Sequence, residues 1–122
     1  MYGVPRNIDL SSIQGSTLDH ILVARHVICF GFESGTSLRV EGKWELTEPD
    51  GAVLDQSADL SKPVSERGPL RLHACVGQAV LVARPEPPKS IALEFEGGLT
   101  LRVFDDSKQY ESFHIQPGDI HV

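Results

Sequence analysis

The sequence predicts an all-β protein in which two pseudo-symmetric β-hairpin or meander repeats form a β-sandwich or a partly open barrel. Three observations predict this fold. Nearly the same phrase occurs twice, as FGFESGTSLRV from Phe30 to Val40 and as LEFEGGLTLRV from Leu93 to Val103. Within each phrase, large apolar residues alternate with small or polar ones, as in a strand with one buried face. Each phrase also has a glycine where the chain must turn.

Each phrase is therefore predicted to be an antiparallel hairpin. Glycine adopts a positive φ without steric cost, which tight turns require, and this accounts for Gly35 and Gly98. An isolated hairpin is not stable in water, so the two repeats are expected to bury one shared apolar face. The predicted core residues are Ile28, Phe30, Phe32, Leu38, Val40, Ile91, Leu93, Phe95, Leu101 and Val103.

The matches extend beyond the hairpins and indicate an internal duplication within one domain, residues 1–122. The copies cover approximately residues 12–46 and 73–115, with Phe32 aligned on Phe95. Upstream, the word LVAR at 22–25 is aligned with LVAR at 81–84. This alignment requires four extra residues in the second copy before Ile91.

Further strands are predicted around the hairpins. A strand leads into each one, at 18–27 and 79–84. Residues 43–46 extend the first copy and 110–115 extend the second, after a turn at 105–106. A turn at 116–119 precedes a terminal strand at 120–122.

Residues 47–69 are expected to be a long connecting loop. Glu48-Pro49-Asp50-Gly51 is a strong turn signal, and residues 57–62 could form one helical turn. Loops of this length in a small domain usually cover or bind something. We therefore regard this segment as a candidate functional loop.

Composition and charge narrow the classes of partner. The formal net charge is −6, which disfavours nucleic acid because phosphate binding depends on clustered Lys and Arg. An acidic surface suits docking to a basic protein. No apolar run approaches the roughly 20 residues that cross a bilayer, and no secretory signal is visible. A cytoplasmic protein without a membrane or nucleic-acid partner is expected.

No catalytic or metal-binding pattern stands out. Cys29 and Cys75 are expected to be reduced, buried and inert. The spacings of the five histidines match no ligand motif, and no phosphate loop or nucleophile elbow occurs. No cofactor and no metal site are predicted, and the protein is expected not to be an enzyme.

Six residues are candidates for binding: Arg39, Trp44, Arg102, Tyr110, Glu111 and His114. Arg39 and Arg102 are the one charged pair that both copies contain. They are expected to pair across their hairpins with Glu33 and Glu96 or with neighbouring residues, or alternatively to grip an anion or an acidic partner together. Trp44 is expected in the core or in an interface.

The second copy resembles a family of small bacterial all-β proteins. That family has the patterns L-x-L-x-F-x-D-G-x-x-L-x-V and Y-E-S/A-W-x-I, to which residues 91–103 and 110–115 are similar. Here Gly97 replaces the usual acidic residue and Phe113 the usual Trp. Some similar proteins look like immunity proteins of toxins, and the resemblance implies no catalytic residue.

These observations favour a non-catalytic protein-binding module, and the resemblance implies that it is an immunity-type inhibitor. The alternative is a small-molecule-binding barrel or an enzyme, with a site between the repeats that His114, Tyr110 or Arg102 would line. If the repeats leave strand edges open, pairing through an edge would produce a homodimer.

Overall fold

Two antiparallel β-sheets make up the fold. A computed structural model describes residues 8–24, 26–66, 70–105, 113–116 and 120–121. Their strands in chain order are β1 (Leu18–Val23), β2 (Ile28–Phe32), β3 (Ser37–Val40), β4 (Trp44–Thr47), β5 (Val53–Gln56), β6 (Val80–Glu86), β7 (Ser90–Phe95), β8 (Thr100–Phe104), β9 (Phe113–Gln116) and β10 (Ile120–His121). Sheet I has the order β1-β2-β3-β9-β10, and sheet II has the order β5-β4-β8-β7-β6. The all-β prediction is confirmed, and the arrangement is a sandwich whose sheets do not close into a barrel.

The two halves of the chain exchange strands between the sheets. Strands β4 and β5 of the first half join sheet II, where β4 pairs with β8, so that Leu46 lies opposite Leu101. Strands β9 and β10 of the second half join sheet I, where β9 pairs with β3, so that Ile115 lies opposite Leu38. The sequence predicted that these strands extend their own copies, but each of them completes the sheet of the other.

One apolar cluster fills the space between the sheets. All ten predicted core residues belong to it. The exchanged strands add Trp44, Leu46, Phe113 and Ile115. Removing this much apolar surface from water is the main stabilising contribution to a fold of this size.

The sheets join where β1 and β6 begin, through a reciprocal set of backbone hydrogen bonds. The N–H of Gly15 donates to the Val80 carbonyl at 2.7 Å, and the N–H of Gly77 donates to the Leu18 carbonyl at 2.7 Å. The two bonds are equivalent by pseudo-symmetry, because Gly77 lies 62 residues after Gly15 and Val80 lies 62 residues after Leu18. An antiparallel bridge from Thr17 to Ala79 lies at the centre of this pattern.

The strand register changes the predicted alignment of the two halves. Leu18 lies opposite Phe32 and Val80 opposite Phe95, and both strands have a register shift directly afterwards. Leu22 is therefore equivalent to Arg84 and not to Leu81, so the alignment of the two LVAR words is wrong. Equivalent residues are 62 positions apart in β1 and β6 and 63 positions apart in β2 and β7. The turn between β6 and β7 therefore has one extra residue, and not the predicted four.

The predicted connecting loop is mostly ordered structure. The turn at Glu48–Gly51 is confirmed, with Gly51 at a φ of 92°. Strand β5 follows it, where the sequence predicted a loop. A 3-10 helix at Ser57–Ser61 confirms the predicted helical turn, and a second one spans Val64–Glu66.

Asp55 connects this segment to the second half. Its buried carboxylate accepts hydrogen bonds from the backbone N–H groups of Arg71 at 2.6 Å and Leu72 at 2.7 Å. Both donors lie at the start of a 3-10 helix, Leu72–Cys75, which precedes the Gly77 turn. Asp55 thus satisfies backbone groups that the helix leaves without partners.

The remaining predicted elements are described in part. Parts of the predicted strands, turns and loop lie outside the described residues, namely 25, 67–69, 106, 110–112, 117–119 and 122. No helix in the described ranges is long and apolar enough to cross a membrane.

We expect Asp55→Ala to lower the free energy of unfolding by about 2–4 kcal/mol, because two N–H groups would lose a charged acceptor. Asp55→Asn should cost less, since both donors reach the same oxygen and the amide oxygen can replace it. Urea denaturation measures both changes.

Asp50→Ala is the matched control. Asp50 is exposed and accepts one backbone hydrogen bond, from Ala52 at 2.9 Å. It should cost less than about 1 kcal/mol. Equal losses at positions 50 and 55 would contradict the role of Asp55.

Candidate protein-binding surface

Three of the described turns lie together at one end of the sandwich. They connect β2 to β3 (33–36), β4 to β5 (48–52) and β7 to β8 (96–99). Each contains a glycine of positive φ: Gly35 at 90°, Gly51 at 92° and Gly98 at 95°. A side chain at these positions would be strained, so the glycines permit the tight turns.

The backbone holds two of these turns on either side of the Thr17–Ala79 bridge. The N–H of Glu33 donates to the Thr17 carbonyl at 2.9 Å, and the N–H of Glu96 donates to the Ala79 carbonyl at 3.0 Å. A carboxylate oxygen of Glu96 also accepts a hydrogen bond from the Ala79 N–H at 3.1 Å. The two hairpins of the repeated phrase therefore meet where the sheets join.

Pro49 places the third turn beside the second. A Cβ built on Gly98 would lie 3.1 Å from Cγ of Pro49, so these two turns are in close contact. Turns held by backbone bonds and by packing keep their geometry without a partner. Such a surface loses little conformational entropy when it binds.

The three turns form an acidic surface. The turns contain no Lys or Arg. Their four exposed carboxylates are those of Glu33, Glu48, Asp50 and Glu96. We call this surface the acidic end. Lys43 precedes β4 and Lys89 precedes β7, so both lie at the opposite end of the sandwich. The opposite end is mixed in charge, because Glu41 and Asp105 lie there with the two lysines, whereas the three turns have only negative charges.

Arg39 and Arg102 lie on opposite outer faces. Each is flanked in its strand by two buried residues of the same core, so Arg39 faces outward from sheet I and Arg102 from sheet II. Two arginines placed in this way do not grip one anion. Their ion-pair partners are also not Glu33 and Glu96, because Arg39 contacts Glu41 at 3.4 Å and Arg102 contacts Glu86 at 3.0 Å.

Arg102 belongs to an ionic network on sheet II. Its Nε donates to Glu86 at 3.0 Å, and Arg84 contacts both Glu86 and Glu94. Partial burial acts to raise the pKa of Glu86, but hydrogen bonds from Arg102 and Ser90 and the nearby positive charges lower it on balance. With side-chain exposure of 29% against 54% for Arg39, Arg102 is the more enclosed arginine.

The other predicted binding residues fall in different places. Trp44 is buried in the core. The backbone of His114 lies opposite Arg39 in the pairing of β3 with β9, which brings these two positions together. Tyr110 and Glu111 lie outside the described residues.

The two cysteines have different environments. Cys75 is buried, and its burial together with the Asp55 carboxylate raises the pKa of the thiol to about 11. Cys29 is half-buried on the outer face of sheet I, where the sequence predicted a buried residue. Within the described ranges, no three His, Cys, Asp or Glu side chains are grouped so that they could hold a metal ion.

The chain was compared with protein-family models, curated proteins and solved structures. No family model, no curated protein and no solved structure matches the chain.

Sequence reasoning missed the acidic end as a unit, although each part had a signal. An acidic residue stands two or three positions before the turn glycine in ESG, EPDG and EGG. These words are far apart in the chain, and only the strand pairing brings them together.

We expect the stabilising effect of Glu86 to depend on pH. A carboxylate whose pKa is lowered by folding stabilises the native state above its ordinary value of 4.5 and loses this effect as the pH falls through the lowered value. The difference in unfolding free energy between the wild type and Glu86→Gln should therefore shrink from about pH 6 to about pH 3. Urea denaturation across this range measures it.

An Arg102→Gln background supplies the control. Without the main partner, the same Glu86→Gln change should show a smaller dependence on pH. A difference that is constant with pH in the wild-type background would contradict the network.

We also expect one fast thiol in the native protein. A pKa of about 11 leaves roughly one Cys75 thiol in a thousand ionised at about pH 8, and burial blocks access to it. Ellman's reagent should titrate Cys29 first and both thiols after denaturation. Cys29→Ser should remove the fast reaction, and rapid labelling of Cys75 in the native state would contradict the assigned burial.

Proposed function

We propose that this protein is a non-catalytic module that binds a basic surface of another protein through its acidic end. The observation that carries the proposal is the meeting of four exposed carboxylates, on three turns, at the end opposite Lys43 and Lys89. Complementary charge steers partners together and selects among them.

The rigidity of the turns supports recognition of a folded partner. Backbone hydrogen bonds hold Glu33 and Glu96 on either side of one bridge, and packing of Pro49 holds the third turn. Charges at fixed positions can match a fixed basic surface without first becoming ordered.

The specific form of this function that we propose is an immunity-type inhibitor acting in the cytosol. Its partner would be a basic toxin, and binding would cover the toxin's active surface. The two free cysteines fit a reducing compartment. This form rests on the family resemblance of residues 91–103 and 110–115.

The alternative is a small-molecule-binding barrel or an enzyme with a site between the halves, and the described residues offer no observation that favours it. In the part of the chain that the structure describes, apolar side chains fill the space between the sheets.

Binding should weaken when the acidic end loses charge. A partner is first isolated from the native host with the tagged wild-type protein and identified. We expect Glu33→Gln with Glu48→Gln to weaken its binding by about tenfold or more, mainly through slower association, and to reduce the dependence of binding on salt. Surface plasmon resonance at two ionic strengths measures both effects.

Glu41→Gln with Glu66→Gln changes the net charge equally at two exposed carboxylates outside the acidic end, and should leave binding nearly unchanged. Equal weakening by both pairs, or the absence of a reproducible partner, would count against the proposal. Co-expression with a toxin encoded beside this gene tests the inhibitor form, because growth should then depend on the acidic end.

A further inference from the structure

The two halves treat their equivalent edge strands differently. Strand β1 forms an edge of sheet I, and β6 forms an edge of sheet II. In an antiparallel pair, alternate residues turn their N–H and C=O groups towards the partner strand and away from it. The residues that turn outward on an edge are the ones that another strand could pair with.

The outward residues of β1 are Ile21 and Val23. The N–H of Ala24 donates to the Val27 carbonyl at 2.9 Å, so these two residues form a hydrogen-bonded pair. Moving two residues along each strand makes Leu22 and Cys29 the next such pair. Ile21 and Val23 alternate with the hydrogen-bonded positions Leu22 and Ala24. They therefore direct their backbone N–H and C=O groups away from β2.

The outward positions of β6 are blocked. The N–H of Ala83, equivalent to Ile21, donates to the Gln14 side chain at 3.0 Å. Pro85 stands at the position equivalent to Val23 and has no N–H to offer. Arg84 stands between them, with its charge held by Glu86 and Glu94. These are devices by which proteins prevent strand addition.

Every one of these devices is missing from β1. Val76 occupies the position equivalent to Gln14 and has no polar group with which to cap Ile21. Val23 replaces the proline, and Leu22 replaces the arginine. These three apolar side chains are exposed to 43% for Val76, 46% for Val23 and 54% for Leu22. Within the described ranges, no group accepts a hydrogen bond from the outward N–H of Ile21 or Val23.

We propose that the β1 edge pairs with β1 of a second copy of this chain, antiparallel and about a twofold axis at Leu22. In this register Ile21 of each copy lies opposite Val23 of the other, and each pair exchanges both of its backbone hydrogen bonds. The two Leu22 side chains meet on the same outer face. A twofold axis at Ile21 would instead place Leu22 against His20 and Val23 against Asp19, which leaves the apolar side chains without apolar partners.

Charge favours a second copy as the occupant. Strand β1 runs from the acidic end towards the end that has Lys43 and Lys89. Antiparallel pairing therefore keeps the two acidic ends apart, because it places each of them beside the other copy's mixed end, where Glu41 and Asp105 accompany the two lysines. No charged residue lies among residues 21–24, the segment that pairs.

The contact is short, so the dimer is expected to be weak. Edge pairing over a few residues buries less than the roughly 1,200 Å² of a standard interface. We expect a dissociation constant in the range of about 10–100 μM. This inference is independent of the proposed function, since the acidic end lies outside the paired segment.

Sedimentation of the full chain from about 1 μM to about 1 mM tests it. The wild type should pass from monomer to dimer. Val23→Pro and Leu22→Arg should each raise the dissociation constant at least tenfold, because they copy the residues that block β6. Leu81→Arg adds the same charge at a side chain of β6 that is 59% exposed, and should leave the dimer unchanged.

Hydrogen exchange locates the contact without a substitution. The amides of Ile21 and Val23 should become more protected as the concentration rises, while the amide of Ala83, which Gln14 already caps, should not. A monomer at all concentrations, or a dimer that survives Val23→Pro, would overturn the inference. A dimer that forms without protection of Ile21 and Val23 would also overturn it. Val23→Pro should still bind the partner protein, which separates a failure of dimerisation from a failure of the proposed function.

Discussion

The apolar interface between the two sheets depends on the exchange of strands between the halves. Strand β4 brings Trp44 and Leu46 to sheet II, and β9 brings Phe113 and Ile115 to sheet I. Neither half has a complete sheet without the strands of the other, so neither can bury its hairpin alone. The reciprocal hydrogen bonds around Thr17 and Ala79 then tie the two sheets at one end. Folding of either half is thereby coupled to folding of the whole.

This pseudo-symmetric framework makes differences between the halves informative. The buried positions are similar because they share one core. The outer positions are free to differ, and several that are charged on sheet II are uncharged on sheet I. On sheet II, Arg84, Glu86 and Arg102 form an ionic network. On sheet I, Leu22 occupies the position equivalent to Arg84 and has no charge. The surfaces that we propose for binding lie where the symmetry is broken or where turns of both halves converge.

Local pattern was a good guide to local structure and a poor guide to equivalence. The alternation of apolar residues predicted both hairpins and all ten of the named core residues, because strand period and burial are properties of a few neighbouring residues. The repeated word LVAR misled the alignment, since a register shift after Leu18 and Val80 places Leu22 opposite Cys29 and Arg84 opposite Ala92. The pairing of Arg39 and Arg102 was also mispredicted. A long side chain can reach several neighbours, and sequence does not show which carboxylate is nearest.

The residues alone decided that this chain folds as β-hairpins with one apolar face each, because alternation and turn glycines act over short distances. The same residues also set its negative charge. Only the tertiary structure decided which strands share a sheet, which carboxylates meet at the acidic end and which edge stays open. Those outcomes depend on contacts between residues far apart in the chain, such as Gln14 with Ala83 or Pro49 with Gly98. Hydrogen bonding and packing select such contacts only when the whole fold is formed.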